Sequence, residues 1–182
     1  PIKSSAASDV YKRQYYISSD VNLIKFMEAY MITVSKDNTG DYTSIQEAVD
    51  AISSSTVSET IFIKNGTYNE RVEITHNNIT LIGESMDNVI ITKDYYALMT
   101  MPDNTKRGTF RSYTFFVHAN NFHAYNITFV NSSGFGTDVG QAIAVYAEGD
   151  NITFKNCKLL GHQDTLFTCL LYTSPSPRDY AA

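Results

Sequence analysis

The sequence is poor in the residues that staple, anchor or recruit. Of 182 residues, two are cysteine (Cys157 and Cys169), too few for a disulfide framework, and no CxxC or Cys/His spacing suggests a structural zinc. Neither a metal nor another cofactor is called for. The longest uninterrupted apolar run is 142–147, far below the roughly 18 residues of a membrane span, and the first residues lack the charged-then-apolar pattern of a secretory signal. No membrane partner is expected. Lysine and arginine number 14 against 19 acidic residues, a formal net charge of -5, which argues against nucleic acid because phosphate binding needs clustered cations. With 43% hydrophobic and 18% charged content, the chain has the material for one globular core.

Proline is scarce and unevenly placed: Pro1, Pro175 and Pro177 lie at the extreme ends, whereas all fourteen asparagines lie between Asn22 and Asn156. Residues 1–14 and 169–182 resemble translated adapter or vector sequence and are set aside as non-native leader and tail. Without them, 15–168 carries ten basic and seventeen acidic residues, a distinctly acidic domain. In 15–30, Leu23, Phe26, Met27 and Tyr30 fall on one helical stripe behind a potential Asp20 cap. The spacing predicts a short helix, but 15–31 carries no motif and is assigned to no domain.

From 43 to 52, Ile45, Ala48, Val49 and Ile52 form the apolar stripe of a second helix, and Ser44 with Glu47 reads as a capping box. Short strands follow at 60–64, 79–83, 89–93, 114–118, 126–130, 142–146 and 151–154, rich in Ile, Val, Thr, Phe and Tyr and bounded by Asn, Gly, Asp and Ser. The triplet Asn-Ile-Thr recurs at Asn78, Asn126 and Asn151, spaced by 48 and then 25 residues, close to two turns and one turn of a single repeat. Such repeats imply a solenoid, with Asn in turns that need a left-handed backbone. The expected architecture is all-β, a parallel β-helix whose first coil is covered by the helix at 43–52. The same triplets, with Asn65 and Asn131, are glycosylation sequons, a weaker reading than turn chemistry.

Seven segments taken in order resemble the pectin methylesterases: ITVSKDNTGDYTSIQEAVDAI (32–52), IFIKNGTYNERVEI (61–74), ITLIGE (79–84), GTFRSYT (108–114), ITFVNSSG (127–134), QAIAVY (141–146) and GHQDTLF (161–167). The resemblance implies a right-handed parallel β-helix, here truncated and occupying 32–168, and hydrolysis of pectin methyl esters to pectate and methanol. It makes pectin the partner and implies a secreted or periplasmic location. By the same resemblance Asp164 is the general acid/base, Gln163 and Gln141 are the amides that stabilise the oxyanion, and Thr109 contacts sugar. A free Asp has a pKa of about 3.9, so an acid/base role asks for burial or nearby negative charge around Asp164. Taken alone, Asp164 reads as a turn residue and Gln141 as a loop amide; only their place in the matched order assigns them.

The resemblance also calls for a second, nucleophilic Asp in a Gly-Thr-Val-Asp-Phe-Ile-Phe-Gly motif and a later Arg in Gly-Arg-Pro-Trp, and neither motif occurs in the sequence. This chain is therefore expected to be inactive. Two alternatives stay open: a non-catalytic β-helical carbohydrate-binding module, and another pectin-degrading β-helix such as a pectate lyase or polygalacturonase. Lys106, Arg107 and Arg111 cluster beside Thr109 and read as a solvated loop, and the four histidines (His76, His118, His123 and His162) show no ligand spacing.

Overall fold

The computed structural model describes residues 31–52 and 58–168; the helix expected in 15–30 and both end segments lie outside them. A lead strand β1 (Ile32–Val34) and a helix α1 (Ile45–Asp50) precede four coils. The first coil comprises β2 (Glu59–Ile63), β3 (Gly66–Asn69) and β4 (Val72–Ile74), and the second β5 (Ile79–Gly83), β6 (Val89–Lys93) and β7 (Phe115–His118). The third comprises β8 (Phe122–Tyr125), β9 (Thr128–Asn131) and β10 (Val145–Glu148), and the fourth β11 (Ile152–Lys155), β12 (Lys158–Leu160) and β13 (Leu166–Thr168). Each coil gives one strand to each of three sheets, stacked as β1-β2-β5-β8-β11, β3-β6-β9-β12 and β4-β7-β10-β13. Every strand pairing described is parallel. This is the right-handed parallel β-helix anticipated from the sequence.

The interior is apolar because each short strand turns alternate residues inward. Phe115, Phe122 and Phe129, one from each sheet, are fully buried, with ring centroids 5.7 Å and 4.7 Å from Phe115. Burying each such side chain contributes roughly 1.5–3 kcal/mol. Inward Val72, Ile74, Val117 and Val145 alternate on the third sheet with Glu73, Phe116 and Tyr146, which face out.

The helix covers the edge, as expected, but by a different device at its N-terminus. Ser44 Oγ accepts from the Glu47 N–H at 3.3 Å. The carboxylate that completes the cap belongs to Glu70, which accepts from Ile45 N (3.1 Å), Gln46 N (3.0 Å) and Ser44 Oγ (2.6 Å). Three donors at a helix start converge on one negative charge, the sign that the helix dipole favours there. Gln46 then pairs with the backbone of edge strand β4: its Oε1 accepts from Glu73 N at 2.7 Å, and its Nε2 donates to Glu73 O at 3.3 Å. One side-chain amide thus stands in for a neighbouring strand. The helix is also shorter than the expected 43–52.

The repeat is real, but its period differs from that of the Asn-Ile-Thr triplet. Glu59 faces Ile79, Thr80 faces His123 and Phe122 faces Ile152, so successive coils are 20, 43 and 30 residues long. Asn78, Asn121 and Asn151 stack before the first sheet, with Asn121 Nδ2 donating to Asn78 Oδ1 (2.9 Å) and Asn151 Nδ2 to Asn121 Oδ1 (2.8 Å). Asn126 belongs to the next corner, where Asn156 Nδ2 donates to its Oδ1 at 2.6 Å. All five have φ between 53° and 63°, the left-handed region that Asn tolerates. Two different corners impose the same demand, and so produce the same triplet out of register.

Nearly all variation in coil length falls at one corner, between the second and third sheets. There β3 passes to β4 across two residues, whereas the later connections are 94–114, 132–144 and 161–165. These three longer connections lie on consecutive coils, and they carry every residue that the resemblance marks as functional.

Candidate active site

Thr109 opens a 3₁₀ turn (Thr109–Arg111) in the first of these loops, Gln141 closes the second after α2 (Gly136–Val139), and Gln163 and Asp164 occupy the third. Parallel pairing continues from the strands back into the corner. Thr114 N donates to Ile143 O at 2.9 Å, Ala142 N to Gln163 O at 3.1 Å and Ala144 N to Thr165 O at 3.0 Å. That ladder sets Gln141 and Gln163 on adjacent coils. Thr109 Oγ1 donates to Gln141 Oε1 at 3.3 Å. With its oxygen engaged, the Gln141 amide keeps its N–H donors for another acceptor.

The Gln163 side chain lies against the backbone of Gly136: a Cβ at that glycine would fall 2.0 Å from Gln163 Oε1. Glycine is the residue that leaves room for the amide. Asp164 sits beside Gln163 with φ 59°, a turn conformation that Asp accepts more readily than most residues. The described residues leave Asp164 exposed, so they do not supply the burial that the sequence reading asks for.

The corner is held by a residue to which the sequence assigns no site role. Asn131, only 3% exposed, directs its Nδ2 at three backbone carbonyls: Tyr95 O (2.9 Å), Ser112 O (2.9 Å) and Ile143 O (3.1 Å). Ser112 adds to the knot, donating through Oγ to Thr109 O at 2.7 Å and accepting from Ile143 N at 3.4 Å. The loops bearing Thr109 and Gln141 are thereby tied to one buried amide. That burial sets aside glycosylation at Asn131. The inward signal was legible, because Asn131 shares the strand parity of buried Phe129.

The expected solvated basic cluster is corrected at Arg107 alone, since Lys106 and Arg111 are exposed. Arg107 is buried and stacks on Tyr95 with its guanidinium carbon 3.8 Å from the ring centroid. Arg111 donates to Arg107 O (2.6 Å) and Lys106 O (3.1 Å), and Lys106 donates to Thr100 Oγ1 (2.8 Å). The three cations pin their own loop.

Aromatic rings flank the corner. Phe110, 59% exposed, lies 5.3 Å from Phe167 and 6.3 Å from Tyr146 between centroids. Tyr146 continues the column to Phe167 (4.9 Å), Phe116 (4.7 Å) and Tyr113 (6.1 Å) on the outer face of the third sheet. Tyr113 OH donates to Glu73 Oε1 at 2.8 Å and Arg71 lies over its ring. Burial, and then the Glu73 carboxylate, push the Tyr113 phenol up to about 12. On the other flank, Phe135 (68% exposed) lies 4.3 Å from the His162 ring.

The parallel β-helix, with its long loops gathered at one corner, sets the class of fold. The pectinesterase family model matches residues 31–172, and the chain belongs to that family. Pectinesterase A of Dickeya chrysanthemi is 34% identical over 168 residues, covering 83% of this chain and 46% of its own length. A pectin methylesterase solved in complex with a hexasaccharide superposes with a TM-score of 0.72 at 34% identity, over 76% of this chain and 45% of that one. The carrot pectin methylesterase gives 0.67 at 32% identity, over 75% and 41%. The chain spans less than half the length of these relatives. The match favours an esterase over the lyase and polygalacturonase alternatives.

Proposed function

We propose that this chain carries the oxyanion and proton-transfer part of a pectin methyl esterase site. The observation that supports this most is the placing of Thr109, Gln141 and Gln163 at one corner, beside the exposed ring of Phe110. In this reading the scissile ester carbonyl lies between the Gln141 and Gln163 amides, whose N–H groups stabilise the negative charge that develops on its oxygen. Asp164 exchanges a proton with the departing methanol. Thr109 acts on Gln141, holding the amide oxygen so that the nitrogen faces substrate. The acidic domain binds the esterified, uncharged form of the polymer, outside the cell or in the periplasm.

Residues 1–182 hold one carboxylate in matching context, and ester hydrolysis through a covalent intermediate needs a second as nucleophile. We infer that 1–182 alone binds methylated pectin without turning it over. Methanol release from methylated pectin tests this directly: none is expected from the chain alone. A chimera in which 31–168 replaces the matching stretch of the Dickeya enzyme is expected to release methanol, and its Asp164→Ala form is not. Release by the unextended chain would overturn the inactivity, and an active Asp164→Ala chimera would overturn the assignment.

A further inference from the structure

The third sheet has a second polar end, remote from the corner that holds Gln141 and Gln163. Where β4, β7 and β10 run out, Thr75, Asn77, His118, Asn120 and Glu148 line an open groove of about 420 Å³. The groove is built on two asparagines whose orientation is fixed. Asn77 Oδ1 accepts from Asn120 N and Asn120 Oδ1 accepts from Asp150 N, both at 2.8 Å. With each oxygen engaged by the next coil, each Nδ2 remains as an oriented donor, and neither makes a hydrogen bond among the described residues. His118, with its side chain 66% exposed, accompanies them, its Nδ1 3.1 Å from Glu148 Oε2. Glu148 also holds the Tyr146 hydroxyl.

The groove is continuous with the aromatic column. The His118 ring stacks on Phe116 at 5.9 Å and 24°, and Phe116 meets Tyr146 at 4.7 Å. Along the strand direction the order is therefore fixed: the amides of Gln141 and Gln163, then the rings of Phe116, Tyr146 and Phe167, then the groove. From Gln141 to Glu148 an extended chain covers at most about 23 Å, a span for several linked sugars and too long for a disaccharide. Oriented amide donors beside an aromatic face suit hydroxyl and ester-carbonyl oxygens. The fixed negative charges nearby, Glu148 and Asp150, disfavour a free carboxylate.

We propose that this groove is a distal subsite for a neutral, methyl-esterified galacturonosyl unit of the same polysaccharide chain whose ester occupies the corner. The proposal rests on the pectin reading above. It is tested by calorimetric titration of the full chain with methyl-esterified oligogalacturonides from the disaccharide to the hexasaccharide, comparing wild type with His118→Ala and Asn120→Ala. Both positions are exposed, and melting curves check that the variants fold. Each variant is expected to bind the hexasaccharide about three- to tenfold more weakly, as loss of one neutral hydrogen bond implies, with the disaccharide unchanged. Equal loss at every length, or no loss at the longest, would overturn the subsite while leaving the pectin reading intact. Absence of binding by wild type at every length would overturn both.

Discussion

Asn131 Nδ2 lies 3.1 Å from the carbonyl oxygen of Ile143, two residues beyond Gln141, while also reaching Ser112, three residues beyond Thr109. A single side chain on β9 therefore spaces the two loops whose side chains meet in the Thr109–Gln141 hydrogen bond. Asn131→Ala removes a donor shared by two buried carbonyls and one half-buried one, of which Ile143 O keeps the Thr114 N–H, and is expected to destabilise the domain by about 1–3 kcal/mol. Denaturant unfolding measures the loss. Hydrogen exchange localises it, with faster exchange expected in 94–114 and 132–144 and little change in β2 and β5.

Gly136 separates stability from chemistry. A Cβ there collides with the Gln163 side-chain amide, a flexible group that moves aside at small cost. Gly136→Ala is expected to keep the melting temperature within a few degrees while displacing the Gln163 donor. In the Dickeya chimera this reads as a fall in kcat of about tenfold or more, with KM nearly constant, as for a group acting on the transition state. A rise in KM alone would place Gln163 in ground-state binding.

Thr109→Val keeps the side-chain shape and removes the hydroxyl that fixes Gln141. If Thr109 orients the amide, kcat falls in the chimera and KM stays. If it contacts sugar directly, KM rises. The two roles therefore separate in one steady-state experiment.

Tyr68 is fully buried and donates to Lys64 O at 2.8 Å and Val34 O at 3.3 Å. Burial, followed by the charges of Glu70, Asp37 and Glu84, pushes its phenol up to about 12 from an ordinary value of 10.0. The folded state thus favours the protonated phenol. This contribution is fully present below about pH 10 and is lost as the pH rises through about 12. Tyr68→Phe is expected to narrow the stability difference between pH 10 and 12, measured by chemical unfolding at each pH.

Much of the solenoid was legible from its residues, and what was missed has a physical pattern. Strands β2, β5 and β6 are runs of Ile, Val, Phe and Thr, long enough to stand out. Strands β3 (GTYN), β4 (VEI) and β12 (KLL) bury at most one or two side chains each, and a stretch that short has no visible period. Their strand character comes from neighbours 23 to 43 residues away. Glu70 was missed as a helix cap for the same reason: it lies 24 to 26 residues from its partners. At the site, sequence order singled out Gln141, Gln163 and Thr109 as candidates, but it could not show that Thr109 engages the glutamine. That relation exists only once two loops 32 residues apart are stacked.

The uneven coils carry a consequence for how such a molecule diversifies. Because 20-, 43- and 30-residue turns differ mainly at one corner, the other two corners work as a fixed spool on which loops of any length can be wound. Insertions between the second and third sheets leave the inward ladder in phase, so new recognition surfaces can be sampled without renegotiating the fold.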